Sequence, residues 1–210
     1  MVIPSGSVTG ASNTKNRIGI FGGSFDPPHV GHLIVALYAL ENLELDLLYV
    51  VPCYRPPHRE NLLQPFEIRL KWLEKSFARV EKSFISDYES SVEGPSYSLH
   101  TVRHFSHVHN TTPYFIAGED ALSYIEEWYR YEELLNSCHF VVYPRYCGRP
   151  YEQRAKSVLK DMYSKILFLD CPIVQISSSE IRSRIRQGKS IRGMVVSEIE
   201  SSVISAYSNE

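Results

Sequence analysis

The chain carries few of the features that mark membrane, disulfide-rich or nucleic-acid-binding proteins. No apolar stretch approaches the length needed to span a bilayer. The four cysteines (Cys53, Cys138, Cys147 and Cys171) form no CxxC pair, which favours reduced thiols over a disulfide framework or a zinc site. A net charge of −2 indicates no nucleic-acid or membrane surface. We therefore expect a cytoplasmic protein that binds neither nucleic acid nor membranes.

The amino-terminal residues differ in composition from the rest of the chain. Residues 1–16 are rich in Ser, Thr, Gly and Asn, and they lack the basic start and apolar centre of a secretory signal. We interpret them as a flexible leader. The whole chain is 43% hydrophobic and 22% charged, which is typical of a globular protein, and no repeat or low-complexity linker divides it. We predict one domain over residues 17–210.

Apolar runs alternate with helical patterns along this domain. The predicted strands lie at 17–21, 47–51, 84–88, 114–117, 140–143 and 166–169. The predicted helices lie at 30–42, 66–80, around 99–105, at 151–163, 178–187 and 197–207, and several helical segments are predicted over 121–135. Because the strands are continuous apolar runs, we predict a mostly parallel sheet with helices on both faces, a Rossmann-like doubly wound α/β fold. In such folds ligands bind beyond the carboxyl ends of the strands.

Residues 19–32, GIFGGSFDPPHVGH, contain the strongest functional signal. Gly22 and Gly23 end an apolar strand, and glycines let the backbone approach a phosphate closely. A helix begins beside His29, and a helix N-terminus supplies free N–H groups and partial positive charge. His29 and His32 are three residues apart and can share one helical face. The pattern predicts nucleotide phosphate binding and nucleotidyl transfer; the alternative is an ordinary strand-to-helix turn with surface histidines.

The sequence His29-Val30-Gly31-His32 after GGSFDPP resembles the signature of the HxGH nucleotidyltransferases. Four further segments are similar to those of the bacterial nicotinate-nucleotide adenylyltransferases: PPHR at 56–59, SYSLHT at 96–101, AGED at 117–120 with WY at 128–129, and ISSSEIR at 176–182. The resemblance implies a fold of the nucleotidyltransferase type. It also implies transfer of AMP from ATP to nicotinate mononucleotide in NAD biosynthesis, with release of pyrophosphate.

The same resemblance implies a role for each matching position. The catalytic residues would be His29, His32, Arg59 and Arg182. The ATP-binding residues would be Gly22, Gly23, Ser24, Phe25, Gly118, Asp120, Ser177, Ser178 and Ser179. The mononucleotide-binding residues would be Ser96, Tyr97, Ser98, Trp128 and Tyr129. The helix amides near Ser98 would hold the nicotinate carboxylate, and Trp128 would stack on the pyridine ring. No residue is assigned to a metal, and Mg²⁺ would arrive with ATP.

Several positions depart from the family pattern or have a simpler interpretation. Arg59 stands where the family usually has Lys, and His100 where an acidic residue is common. Ser98 and Ser179 keep the hydroxyl of the more usual Thr. The segments 96–101 and 177–179 would also serve as helix caps, since Ser and Thr cap helices well. The aromatic pair at 128–129 would also serve as core packing.

Two other functions remain open from the sequence alone. Another adenylyltransferase of the same superfamily, acting on phosphopantetheine or on the amide mononucleotide, would share the first and last motifs. A nucleotide-binding regulatory module without turnover would share the fold. The oligomeric state cannot be inferred from these patterns.

Overall fold

A computed structural model describes residues 16–57 and 64–208 of the chain. Within these ranges the strands are β1 (Ile18–Gly23), β2 (Leu47–Pro52), β3 (Ser83–Ile85), β4 (Tyr114–Gly118), β5 (His139–Tyr143) and β6 (Ile166–Phe168). The α-helices are α1 (Val30–Asn42), α2 (Phe66–Phe77), α3 (Ser98–His109), α4 (Tyr131–Ser137), α5 (Glu152–Leu159), α6 (Ser178–Arg186) and α7 (Ser197–Tyr207). The leader predicted for residues 1–16 lies, apart from Asn16, outside the described residues.

The six strands form one parallel sheet in the order β3-β2-β1-β4-β5-β6. This is the doubly wound order, and it confirms the predicted Rossmann-like α/β fold. The strand order reverses between β1 and β4, which are neighbours in the sheet. A crevice therefore opens beyond the carboxyl ends of these two strands, where ligands of such sheets bind.

The two faces of the sheet bury separate apolar clusters, which explains why the strands read as continuous hydrophobic runs. Ile20 and Phe115 point into the cluster that also contains residues of α3, α4 and α5. Phe21 and Ile116 point the other way, into the cluster covered by α1 and α2. A strand buried on both faces has no position where a polar side chain would reach water. Its sequence therefore lacks the alternation of polar and apolar residues that marks a half-exposed strand.

The two carboxyl-terminal helices pack on α2 through a third apolar cluster. The cluster contains Trp72 of α2, Ile181 of α6 and Val203 of α7. The indole N–H of Trp72 also donates to Oγ of Ser202 over 3.0 Å. These contacts hold α7 against α2.

The helical segments predicted over 121–135 are confirmed, and the first half of this stretch is 3₁₀ rather than α-helical. Two short 3₁₀ turns, Glu119–Ser123 and Ile125–Glu127, occupy this stretch before α4 begins at Tyr131. The predicted strand at 84–88 shortens to β3, and the predicted helix at 151–163 leaves α-geometry at Lys160, which adopts a positive φ of 50°. Within the part of the chain that the structure describes, no helix is both long and apolar enough to cross a membrane.

Candidate active site

The carboxyl ends of the central strands open onto one cleft with a volume of about 820 Å³. Seventeen predicted site residues line it: Gly22, Gly23, Ser24, Phe25, His29, His32, Ser96, Tyr97, Ser98, Gly118, Asp120, Trp128, Tyr129, Ser177, Ser178, Ser179 and Arg182. The remaining predicted site residue, Arg59, lies outside the described residues. Segments that are far apart in sequence therefore meet in one place.

The loop after β1 is packed tightly around an aromatic ring. Phe25 has a positive φ of 48° and is buried. Its ring meets His32 with centroids 4.9 Å apart, and a Cβ added to Gly23 would lie 3.0 Å from that ring. Gly23 thus provides the space in which Phe25 turns inward and supports His32.

The two histidines form a stacked pair at the start of α1. Their ring centroids are 3.7 Å apart with an interplanar angle of 23°. The backbone N–H of His29 donates to Nδ1 of His32 over 3.1 Å. Because Nδ1 accepts this bond, the neutral ring of His32 carries its proton on Nε2, where it is a hydrogen-bond donor.

Both imidazoles are neutral in the free protein at physiological pH. Burial, and then the positive charge of Arg145, lowers the pKa of His29 to about 3. Burial, followed by the neighbouring His29 and by Arg145, lowers the pKa of His32 well below its usual value. A bound polyphosphate would oppose these effects, because negative charge favours the imidazolium form.

A second helix N-terminus lies beside the first. Ser177 caps α6 by accepting a hydrogen bond from the Glu180 amide over 3.1 Å, as expected from the sequence. Oγ of Ser178 donates to the carbonyl of Pro27 over 2.8 Å, which ties the start of α6 to the loop after β1. The amino ends of α1 and α6 therefore border the same cleft and direct two partial positive charges to it.

Arg182 extends from α6 toward the same loop. Its Nη1 donates to the backbone carbonyl of Asp26 over 2.5 Å and lies 3.9 Å from the Asp26 carboxylate. Its Nη2 reaches Oγ of Ser179 over 3.3 Å. The Arg182 side chain is 17% exposed, and it is held by these contacts while still bordering the cleft.

Sequence reasoning missed Arg145, which lies two residues after the end of β5. Its Nε is 2.9 Å from Oδ1 of Asp120, and its Nη2 donates to the hydroxyl of Tyr143 over 2.8 Å. A Cβ on Gly118 would lie 2.6 Å from the Arg145 Nε, so the glycine leaves room for this ion pair. The position just beyond a central parallel strand was the available signal, since ligands bind there.

At the other end of the cleft, α3 begins without a side-chain cap. Tyr97 occupies the N-cap position, and Ser98 is the first helical residue. The cap expected within 96–101 is therefore absent from Ser96, whose Oγ instead accepts from the amides of Tyr54 and Arg55 over 3.2 and 2.9 Å. Ser96 joins the start of α3 to the loop after β2.

Aromatic rings line this end of the cleft. Tyr97 and Tyr129 stack with centroids 4.2 Å apart and an interplanar angle of 21°. Trp128 meets Phe115 and Phe140 edge to face at 6.2 and 6.0 Å. Trp128 thus packs on the core, as the simpler interpretation predicted, and it also borders the cleft.

No group of three or more His, Cys, Asp or Glu side chains that could hold a metal ion occurs in residues 16–57 and 64–208. The two carboxylates nearest the predicted phosphate site, Asp26 and Asp120, already contact Arg182 and Arg145. This donor set suits a cation that is coordinated mainly by phosphate oxygens and water, not by a protein cage.

Comparison with known proteins agrees with the geometry. The model of the Cytidylyltransferase-like family matches residues 20–184. A Pseudothermotoga lettingae protein named "Probable nicotinate-nucleotide adenylyltransferase" is 60% identical, with 93% of this chain and 99% of that protein covered. A Thermotoga maritima protein of the same name is 56% identical, with 95% and 96% covered.

A solved structure shares the fold. The Plasmodium falciparum nicotinic acid mononucleotide adenylyltransferase, complexed with NaAD, superposes with a TM-score of 0.74 at 21% identity, covering 91% of this chain and 96% of that one. The extent and identity of the sequence matches decide the classification. The chain belongs to the cytidylyltransferase-like family and, within it, to the nicotinate-nucleotide adenylyltransferases.

Proposed function

We propose that this protein transfers the AMP moiety of ATP to nicotinate mononucleotide, forming nicotinate adenine dinucleotide and pyrophosphate. The observation that carries the proposal is the stacked pair His29 and His32 at the start of α1, facing the same cleft as the amino end of α6. This arrangement concentrates hydrogen-bond donors and positive potential where a triphosphate would bind.

The chemical step requires positioning and charge stabilisation more than base catalysis. A phosphate oxygen of the mononucleotide attacks the α-phosphorus of ATP, and the bond from that phosphorus to the bridging oxygen of the β-phosphate breaks. The attacking phosphate is already an anion, so no proton need be removed from it. We propose that His29, His32 and Arg182 stabilise the negative charge that develops on the α-phosphate and the leaving pyrophosphate.

The remaining cleft residues divide between the two substrates. We propose that the loop of Gly22, Gly23, Ser24 and Phe25, together with Gly118, Asp120 and the serines at 177–179, binds ATP. Arg145 joins this group because its guanidinium suits phosphate oxygens. We propose that the amides near Ser98 hold the nicotinate carboxylate and that Trp128 and Tyr129 pack on the ring. Arg59 stays a predicted catalytic residue.

We further propose that Mg²⁺ binds as a complex with ATP, since nucleotidyltransferases of this type generally use a divalent metal with the nucleotide. When bound, this cation would neutralise charge on the phosphates. We place the activity in a single domain spanning residues 17–210 and in the cytoplasm. All four cysteines are free thiols, which suits a reducing compartment.

Pyrophosphate release tests the proposal directly. The purified protein is mixed with ATP, MgCl₂ and one of three acceptors: nicotinate mononucleotide, its amide analogue or phosphopantetheine. We expect the highest kcat/KM with the acid. The matched control is the His32→Ala variant, whose folded state is checked by circular dichroism.

Each outcome has a distinct meaning. Preference for phosphopantetheine would keep the nucleotidyl transfer and overturn the substrate. Preference for the amide would overturn the assignment of the carboxylate to the amino end of α3. Absence of release with every acceptor, from folded protein that still binds ATP, would replace the enzyme with a nucleotide-binding regulatory module.

A further inference from the structure

Glu89 lines the cleft, and none of the roles above uses it. It belongs to the short 3₁₀ turn Tyr88–Ser91, which follows the carboxyl end of β3. Its Oε1 accepts a hydrogen bond from Oγ1 of Thr101 over 2.8 Å, and its Oε2 accepts one from the Tyr54 amide over 3.2 Å. The carboxylate is thereby fixed between α3 and the loop after β2, at the mononucleotide end of the cleft.

Glu89 differs from Asp26 and Asp120, two other acidic residues that line the cleft, in its charged partners. Asp26 lies beside Arg182, and Asp120 is paired with Arg145. Among the residues that the structure describes, no Lys or Arg forms an ion pair with Glu89. Burial raises the pKa of Glu89, while hydrogen bonds from Ser96, Thr101, the Tyr54 amide and Cys53 favour its ionised form.

Partial burial of a carboxylate costs stability, and a neutral glutamine at position 89 would keep much of the hydrogen bonding between α3 and the loop after β2. The hydroxyl of Thr101 can donate or accept, so the NH₂ group of a glutamine could donate to it while the glutamine oxygen accepts from the Tyr54 amide. The hydrogen bonds alone therefore do not require a negative charge at this position. A charge that is kept at a cost is a candidate for ligand recognition.

The proposed acceptor substrate supplies a matching positive charge. The ring nitrogen of a pyridine mononucleotide is bonded to the ribose and is quaternary, so the ring is a cation at every pH. Phosphopantetheine and ATP carry no such group. A carboxylate at the mononucleotide end would attract this positively charged ring more strongly than a neutral one.

We propose that Glu89 is a specificity-determining residue whose carboxylate selects a positively charged pyridinium ring in the acceptor substrate. This inference rests on the proposed function, because it assumes that the mononucleotide ring binds between α3 and Trp128. It adds a second criterion to recognition: the amino end of α3 would read the ring substituent, and Glu89 would read the charge of the ring itself.

The test compares two forms of one acceptor in matched variants. The acceptor is the mononucleotide in its oxidised pyridinium form and in its reduced dihydropyridine form, which has a neutral ring. Pyrophosphate release is measured with each form for the wild type, Glu89→Gln, Glu89→Asp and Glu93→Gln. Glu93 is exposed, lies in the same segment and does not line the cleft, so it controls for loss of one negative charge.

We expect Glu89→Gln to lose about tenfold in kcat/KM for the pyridinium form, an effect of one nearby charge in a partly screened site. The KM for ATP and the kcat/KM for the dihydropyridine form should stay within about twofold of wild type, the scatter expected for a distant uncharged interaction. Glu93→Gln should behave as wild type. Since a buried charge is removed, Glu89→Gln should not unfold at a lower temperature than the wild type, whereas a purely structural role predicts that it does.

Equal losses for the two ring forms, or no loss for either, would overturn the inference. If Glu89→Gln fails to fold, Glu89→Asp decides: it keeps the charge and should keep the preference for the pyridinium form, and loss of that preference would also overturn the inference. Failure of the proposed function is recognised separately, because the wild type would then release no pyrophosphate with either ring form.

Discussion

The hydroxyl of Tyr207 donates a 2.6 Å hydrogen bond to Oδ1 of Asp26, although 181 positions separate the two residues. Tyr207 is fully buried near the end of α7, and Asp26 is 4% exposed in the loop after β1. The backbone carbonyl of the same Asp26 accepts from Arg182. Helix α7 therefore helps to position Asp26 and, through it, Arg182, which we propose to be catalytic.

Replacement of Tyr207 by Phe tests this link. The variant leaves the buried Asp26 carboxylate without one of its donors, so we expect the free energy of unfolding to fall by about 1–3 kcal/mol. We also expect kcat to fall, because Asp26 positions Arg182. Urea unfolding and steady-state kinetics measure the two effects, and Tyr38→Phe on α1, outside the cleft, is the control. Unchanged stability would show that the hydrogen bond contributes nothing.

The fold was predictable where local pattern and tertiary environment agree. β1, β2 and β5 are apolar along their length because both faces of the sheet are covered, and the continuous runs indicated this. Over 119–137 the sequence indicated helical segments but not their division into two 3₁₀ turns and α4. There Trp128 packs on Phe115 and Phe140, and local periodicity does not specify these contacts.

The candidate site was predictable where residues lie in short motifs, as in the loop before His29 and at Ser177. Three residues escaped prediction because their positions depend on contacts between segments far apart in sequence. Arg145, just after β5, pairs with Asp120, just after β4. Glu89, after β3, accepts a hydrogen bond from Thr101 of α3. Tyr207 of α7 donates a hydrogen bond to Asp26. Nothing in the local sequence around these residues specifies those partners.

Truncation of His32 should separate chemistry from binding. If His32 stabilises charge that develops in the transition state, His32→Ala should lower kcat by about 10²–10³ and change KM for the mononucleotide only a few-fold. Initial-rate kinetics with varied mononucleotide at saturating ATP measures both constants. The exposed His107→Ala serves as the control. Equal changes in kcat and in binding would count against a transition-state role.

Stability should fall in mild acid because of the buried histidines. The pKa of His29 is about 3 in the folded protein, against an ordinary value of 6.5, so the unfolded chain binds the proton first as the pH falls. The free energy of unfolding should therefore decrease from about pH 6.5 downward, by about 1–2 kcal/mol from His29 between pH 7 and pH 5. Urea titrations of the wild type and His29→Gln measure the slope, which should be shallower in the variant. The same slope in both proteins would exclude His29 as its source.

Arg145 allows the electrostatics of the ATP end to be tested apart from the histidines. Arg145→Met removes a cation from the cleft and leaves Asp120 as an unpaired anion facing the phosphates. Loss of a hydrogen bond to a charged group is worth about 1.5–3 kcal/mol, so KM for ATP should rise about 10- to 100-fold. The double variant Arg145→Met with Asp120→Asn should recover part of this loss, because the repulsion is removed. The exposed Arg192→Gln is the control, and an unchanged KM for ATP would show that Arg145 acts only to hold Asp120 and Tyr143 in place.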